Sequence, residues 1–167
     1  RVIGLPYPGG VAIDKHAKTG KHIYSFKTPV VAGKYDFSYS GLKTNVINFV
    51  NSCNMQHIQY SIDDIAKSFQ DVAIDVIVEK AFQAANEYKV AMVCLAGGVS
   101  ANSYLREKMT EKFASEKIDL VIPPIWCTTD NAAMIAKIAT HLYDKKIFAP
   151  LTLGVDPNWR IENFDKF

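Results

Sequence analysis

An α/β chain with two neighbouring parallel strands and flanking helices is the fold class the sequence predicts, on three observations. Apolar residues recur at three- and four-residue spacing from Ser61 to Tyr88, through Ile65, Phe69, Val72, Val76 and Ile77, a length no strand reaches. Two short apolar runs, Val90–Leu95 and Ile118–Ile122, are closed by Gly97-Gly98 and Pro123-Pro124, a pattern that suits strands buried on both faces. Between them, Ser100–Ser115 returns to helical spacing through Leu105, Met109 and Phe113, so a right-handed crossover joins two parallel strands.

The remaining elements follow in chain order. Pro6, Pro8, Gly9, Gly10, Gly20, Pro29 and Gly33 punctuate the opening of the chain and leave room there for one short helix. It starts after the Pro8-Gly9-Gly10 turn, runs through Val11, Ile13, Asp14 and Ala17, and stops at Gly20 as a C′ glycine. Gly41–Phe49 allows a second helix, with Leu42, Val46 and Phe49 on one face. Ser61 is a natural N-cap for the long helix, with Asp63 and Asp64 in its first turn at the positive end of the macrodipole. The last helix, Asn131–Tyr143, has a wide apolar face of Ala133, Ile135, Ala136, Ile138, Ala139 and Leu142. Two strands alone leave both edges unpaired, so the rest of a sheet is expected from other sequence or another chain, and the isolated chain is expected to be marginally stable or to self-associate. The chain opens on Arg1 rather than Met, with no strand or cap before it, and reads as a piece of a longer polypeptide.

Nineteen basic and 17 acidic residues leave a net charge of +2, which excludes nucleic-acid binding by bulk charge and confines any RNA contact to local patches. Cys53, Cys94 and Cys127 are far apart and without a CxxC pair, so they indicate neither a disulfide framework nor a thiolate zinc site; small buried hydrophobes in a reducing compartment describe them best. No apolar run approaches a membrane span and no signal peptide opens the chain, so a soluble, unexported protein is expected.

Candidate sites gather at the carboxyl ends of the two strands, where open α/β sheets bind ligands. Leu95–Asn102 carries Gly97 and Gly98 at a strand-to-helix turn, where a ligand can approach the backbone and free N–H groups at the helix start attract a phosphate or nucleoside. Asn102 adds a donor and an acceptor, and as a cleft residue it is expected to be replaceable without harm to the fold. The plain alternative is a tight turn that needs glycine for steric reasons only. Asp130, after the second strand, either caps the last helix or ligates a metal or a sugar hydroxyl. Tyr7-Pro8-Gly9-Gly10 with Asp14 offers a third glycine turn with a carboxylate one helical turn on. Ser38–Thr44 combines hydroxyls, Gly41 and Lys43 at a helix start but lacks the spacing of a P-loop. His16, His22, His57 and His141 show no ligand spacing.

Four of these segments together resemble one family. They are Tyr-Pro-Gly-Gly-x-x-x-Asp (7 to 14), Asp-Phe-Ser-Tyr-Ser-Gly-Leu-Lys-Thr (36 to 44), Ala-Gly-Gly-Val-Ser-Ala-Asn-Ser-Tyr-Leu-Arg (96 to 106) and Thr-Asp-Asn-Ala-Ala-Met-Ile-Ala (129 to 136). The chain resembles the TsaD (Gcp) family of tRNA N6-adenosine threonylcarbamoyltransferases, formerly called O-sialoglycoprotein endopeptidases, over almost its whole length. The Ser-Gly-Leu-Lys-Thr form is more similar to the bacterial and organellar branch than to the archaeal one.

The resemblance implies the fold of the actin, sugar-kinase and chaperone ATPase superfamily, with two RNase H-like lobes around a nucleotide cleft. Residues 1–167 then correspond to the C-terminal part of a nucleotide-binding lobe, with the N-terminal lobe absent. The implied reaction transfers a threonylcarbamoyl group from threonylcarbamoyl-AMP to N6 of the adenosine next to the tRNA anticodon, so acyl transfer, tRNA modification, nucleotide binding and metal binding are expected. Gly10, Asp14 and Asn102 match positions that contact the adenylate, and Gly97 and Gly98 in the strand-to-helix turn are expected to bind substrate with them. No catalytic side chain is assigned. Asp130 matches one metal ligand, while the family's paired histidines lie in the other half; the metal is expected to be Fe2+, with Zn2+ the alternative, and held only with that half. One departure is Cys127, since members have Cys immediately before Thr-Asp-Asn where this chain has Thr128. Expected partners are threonylcarbamoyl-AMP, tRNA, the N-terminal lobe, a related non-catalytic subunit and an ATPase subunit, with no membrane; the expected location is the cytoplasm, or the mitochondrial or plastid matrix in a eukaryote. On this reading the chain alone is inactive. The alternative is a truncated, non-catalytic relative serving as a binding or dimerisation module, and peptidase activity has no visible constellation to support it.

Overall fold

The computed structural model describes residues 2–114 and 116–160, so the Ser115 end expected for the fourth helix lies outside the described residues. The chain divides into two compact units, Arg1–Thr128 and Thr129–Phe167.

The first unit contains α1 (Gly9–Ala17), α2 (Ser40–Met55), α3 (Ile62–Glu87), β1 (Met92–Cys94), α4 (Ser103–Phe113) and β2 (Asp119–Val121), with short 3-10 turns at Gly98–Ala101 and Ile125–Cys127. The two strands are parallel, pairing Met92 with Asp119, Val93 with Leu120 and Cys94 with Val121, and α4 is the crossover between them. The α/β expectation and its connectivity therefore hold. The expectation that both strands are buried on both faces does not. Val93, Leu95, Ile118 and Leu120 pack beneath α3 and α4, whereas Met92 is 51% and Val121 45% exposed. Side chains alternate across a strand, and a single layer of helices covers one face only.

α3 is the element that both apolar clusters share. Ile74, Val78 and Ala85 pack against Leu105, Met109 and Phe113 of α4, with the Phe82 and Phe113 rings edge-on at 5.5 Å. Toward its other end, Ile65 joins Leu42, Val46 and Val50 of α2 and Phe26. The Ser61 hydroxyl accepts from the Asp64 N–H at 3.2 Å and caps α3 as expected. α2 runs two turns beyond its expected end at Phe49, because Val50 and Cys53 continue the buried stripe of Leu42 and Val46 through otherwise polar sequence. Cys53 is buried as expected, but Cys94 is exposed and Cys127 only partly covered.

Two glycine readings need correction. Gly9 and Gly10 form the first turn of α1 rather than preceding it. The helix ends at Ala17 with Lys18 as its cap, and Gly20 does not adopt the left-handed conformation of a C′ glycine. Its requirement is space. A Cβ at Gly20 would lie 2.0 Å from the Asp63 carbonyl oxygen at the start of α3. The chain from α1 to Tyr24 is fastened along α3 at that approach. His16 Nδ1 meets Asp63 at 2.5 Å, the Thr19 hydroxyl donates to Asp63 at 2.8 Å, the Lys21 N–H donates to Asp64 at 2.7 Å, and the Ile23 and Tyr24 N–H groups donate to the buried Ser68 hydroxyl. The hydrogen bond from His16, and then that from Thr19, hold the Asp63 carboxyl below its ordinary pKa.

In the second unit, α5 (Ala132–Asp144) is capped by the Asn131 side chain, which accepts from the Met134 N–H at 3.2 Å. Its apolar face, including Ile135 and Ile138, is exposed. No helix among the described residues is long and apolar enough to cross a membrane.

Candidate functional site

The turn after β1 is built around one residue in a conformation that other residue types rarely adopt. Gly97 has φ 82° and ψ 170°, a combination that glycine alone adopts readily. The Ser100 N–H and hydroxyl both donate to the Gly97 carbonyl, at 2.9 and 2.6 Å, and close the 3-10 turn. Gly97 is thus explained by the turn itself. Gly98 and Gly10 are not: both are exposed, neither has a positive φ, and a Cβ at either would meet nothing within 4 Å. Their lack of a side chain serves no packing within the described residues and leaves the backbone open to a ligand.

Asn102 then begins α4, its Oδ1 accepting from the Leu105 N–H at 2.8 Å while its Nδ2 donates to Gln70 Oε1 on α3 at 2.9 Å. It is therefore partly structural, which corrects the expectation that it can be replaced without cost. Removing such a cap costs about 1 kcal/mol. Asn102→Ala should lower the urea midpoint of the protein by a corresponding amount with an unchanged slope; an unshifted midpoint would show the cap to be dispensable.

Asp14 reaches the same turn from α1. One of its carboxylate oxygens accepts from the Ser103 N–H at 3.2 Å and the other from the Ser103 hydroxyl at 2.9 Å. The carboxylate sits at the positive end of α4, where charge and orphan N–H groups are mutually stabilising. The fold thus brings Asp14, the last residue of the Tyr-Pro-Gly-Gly-x-x-x-Asp segment, to the helix start that follows the Gly-Gly turn. It also corrects the view of α4 as an open anion site, because Ser103 and Leu105 already donate within the protein. Among the described residues, the Gly98 and Val99 N–H groups, which precede the turn's own hydrogen bonds, have no hydrogen-bond acceptor.

Arg106 was not singled out by the sequence. Its Nε donates to the Ser100 carbonyl at 2.6 Å and its Nη2 to the Pro123 carbonyl at 2.7 Å, tying the turn after β1 to the segment after β2. An arginine on a polar helix face carries no signal of such a role.

The other candidates resolve into structural parts or stand apart. Tyr39, just before α2, donates its hydroxyl to the Ala73 carbonyl at 2.8 Å, and burial pushes its pKa up to about 12, so it remains a donor. A Cβ at Gly41 would press on the Pro29 ring at 3.0 Å, which accounts for that glycine by packing. His16 and His22 pair with Asp63 and Asp71 on α3. Asp130 is exposed in the second unit, and Asn131 rather than Asp130 caps α5. Among the described residues, no group of three or more His, Cys, Asp or Glu could hold a metal. A single carboxylate does not make a metal site, so the described residues do not by themselves fit the metal implied by the resemblance.

Comparison with known proteins decides the family. Residues 1–137 match the family model of TsaD, the tRNA N6-adenosine threonylcarbamoyltransferase. The chain belongs to the TsaD family. It is 44% identical over 164 residues to the tRNA N6-adenosine threonylcarbamoyltransferase of Halalkalibacterium halodurans, covering 98% of this chain and 48% of that protein. It is likewise 44% identical over 165 residues to the protein of that name from Bacillus thuringiensis subsp. konkukian, with the same coverage. The chain spans about half the length of the curated relatives it matches. TsaD proteins have the actin-like ATPase, RNase H-like fold, and β1, β2 and their helices make an α/β part of that kind. The relatives of this TsaD chain are transferases that modify tRNA, by their names.

Proposed function

We propose that this chain is the C-terminal, adenylate-binding part of an enzyme that transfers a threonylcarbamoyl group from threonylcarbamoyl-AMP to N6 of the adenosine next to the anticodon of tRNA. The observation that carries this reading is the meeting of α1 with the turn after β1 through Asp14 and Ser103. That contact joins the helix that begins with Gly9 and Gly10 to the start of the helix that follows Gly98, and no internal packing requires Gly10 or Gly98. The turn's backbone and the Asn102 amide read the nucleoside, and Asp14, while held by Ser103, keeps lone pairs to accept from ribose hydroxyls. Gly97 shapes the turn. Asp130 contributes one ligand to a divalent metal, Fe2+ or Zn2+, whose other ligands come from outside this chain. tRNA, a related non-catalytic subunit and an ATPase subunit are its partners, in the cytoplasm or an organelle matrix, and residues 1–167 alone are inactive.

The test is a bulky side chain where the protein has room and only a ligand does not. In the complete gene product, Gly98→Val should weaken AMP binding about tenfold, equivalent to about 1.4 kcal/mol, and slow transfer to tRNA, with the thermal midpoint unchanged. AMP affinity equal to wild type would remove the turn from the binding site. Full AMP binding without any transfer by the complete gene product would instead favour a non-catalytic binding module.

A further inference from the structure

We propose that Gln70, on α3, is a positioning residue for the turn at residues 97–102, acting through Asn102 and setting which hydrogen-bonding group Asn102 offers to a nucleoside. The inference rests on the reading of that turn as the adenylate site. Gln70 is only 5% exposed although it is polar, and a buried carboxamide is costly unless its groups are hydrogen-bonded. Its Oε1 accepts from Asn102 Nδ2 at 2.9 Å. At the opposite end of the same amide, Asn102 Oδ1 accepts from the Leu105 N–H at 2.8 Å.

Those two contacts leave Asn102 a single orientation. A half-turn of its amide would set Nδ2 against the Leu105 N–H and Oδ1 against the Gln70 oxygen, two like-with-like pairings in place of two hydrogen bonds. An Asn side chain has two N–H donors and two lone pairs, so one donor and one lone pair remain after Gln70 and Leu105 are served. Gln70 fixes the Nδ2 side, and therefore the direction in which the remaining N–H points. Asn102 can then cap α4 and donate to an acceptor on a purine or ribose at the same time. The residue that aligns it lies on another helix, fastened to the segment that follows α1 through Asp63, Asp64 and Ser68.

A double-mutant cycle in the complete gene product tests this, with AMP as the probe in calorimetric titrations. Gln70→Met keeps the length of the side chain and removes the acceptor; Gln70→Leu serves the same purpose if the methionine variant does not fold. Either should weaken AMP binding about fivefold, the worth of one neutral hydrogen bond. Gln70→Glu retains an acceptor oxygen and should restore most of the affinity. On an Asn102→Ala background, Gln70→Met should cause no further loss, because the group it aligns is gone. Wild-type affinity in Gln70→Met, or losses that multiply in the double variant, would overturn the proposal while leaving the adenylate site standing. If Asn102→Ala and Gly98→Val both bind AMP normally, the reading of the turn itself fails, and this inference with it.

Discussion

Gly20→Ala is expected to lower the stability of the first unit by about 3 kcal/mol, the upper part of the range for inserting a methyl group where there is no room. The added carbon would sit 2.0 Å from the Asp63 carbonyl oxygen and 2.4 Å from its carbon, both backbone atoms at the start of α3 that cannot rotate aside. Relief requires the chain after α1 to lift from α3, which strains or breaks the hydrogen bonds of His16 and Thr19 to Asp63 and of the Lys21 N–H to Asp64. α1 carries Asp14, so AMP affinity should fall as well. Chemical denaturation of Gly20→Ala and Gly20→Asn separates the steric account from a capping one. A left-handed cap would tolerate asparagine better than alanine, whereas a close approach makes asparagine no better. An asparagine variant as stable as wild type would refute the steric account.

Arg106→Met should cost about 3 kcal/mol, the combined worth of two hydrogen bonds from a charged donor after the apolar stem of the side chain is largely preserved. The guanidinium bridges the Ser100 and Pro123 carbonyls, and its planar fork lets one side chain hold both. Lysine presents a point donor and should not rescue more than one of them. Faster amide hydrogen exchange across residues 97–102 in both Arg106→Met and Arg106→Lys would identify the turn as the part released. Exchange unchanged in the turn, with stability unchanged, would show that the two carbonyls are served equally well by water.

Much of the architecture was legible from the chain alone, for reasons that differ by element. α3 announced itself because its apolar spacing is long and its cap, Ser61, precedes two acidic residues. The two apolar runs and the helix between them dictated a parallel pair. The open face of the strands was not legible, since a continuous apolar run reads the same whether one helical layer covers it or two. Within the site, the glycines and Asp14 stood out through their turn chemistry and the family resemblance. Gln70 and Arg106 did not, because their partners are set by tertiary packing: Gln70 lies 32 residues from Asn102, and Arg106 17 from Pro123. Gly20 was noticed for the wrong reason, as sequence marks where glycine occurs but not whether φ or space demands it.

α3 spans 26 residues, which corresponds to a rod of about 39 Å, and the two arms of the candidate site are both referenced to one short stretch of it. The arm bearing Asp14 is anchored at Asp63, Asp64 and Ser68, and the arm bearing Asn102 at Gln70, so the anchors fall within about two helical turns of one another. Displacements of the rod as a whole, whether from thermal swinging or from repacking at its far end near Ala85, therefore carry both arms together. They are common-mode motions, and the gap between the carboxylate and the amide is insensitive to them. That gap changes when an arm is released from its anchors or when α3 bends inside residues 63–70, and an intact helical turn is stiff against the second.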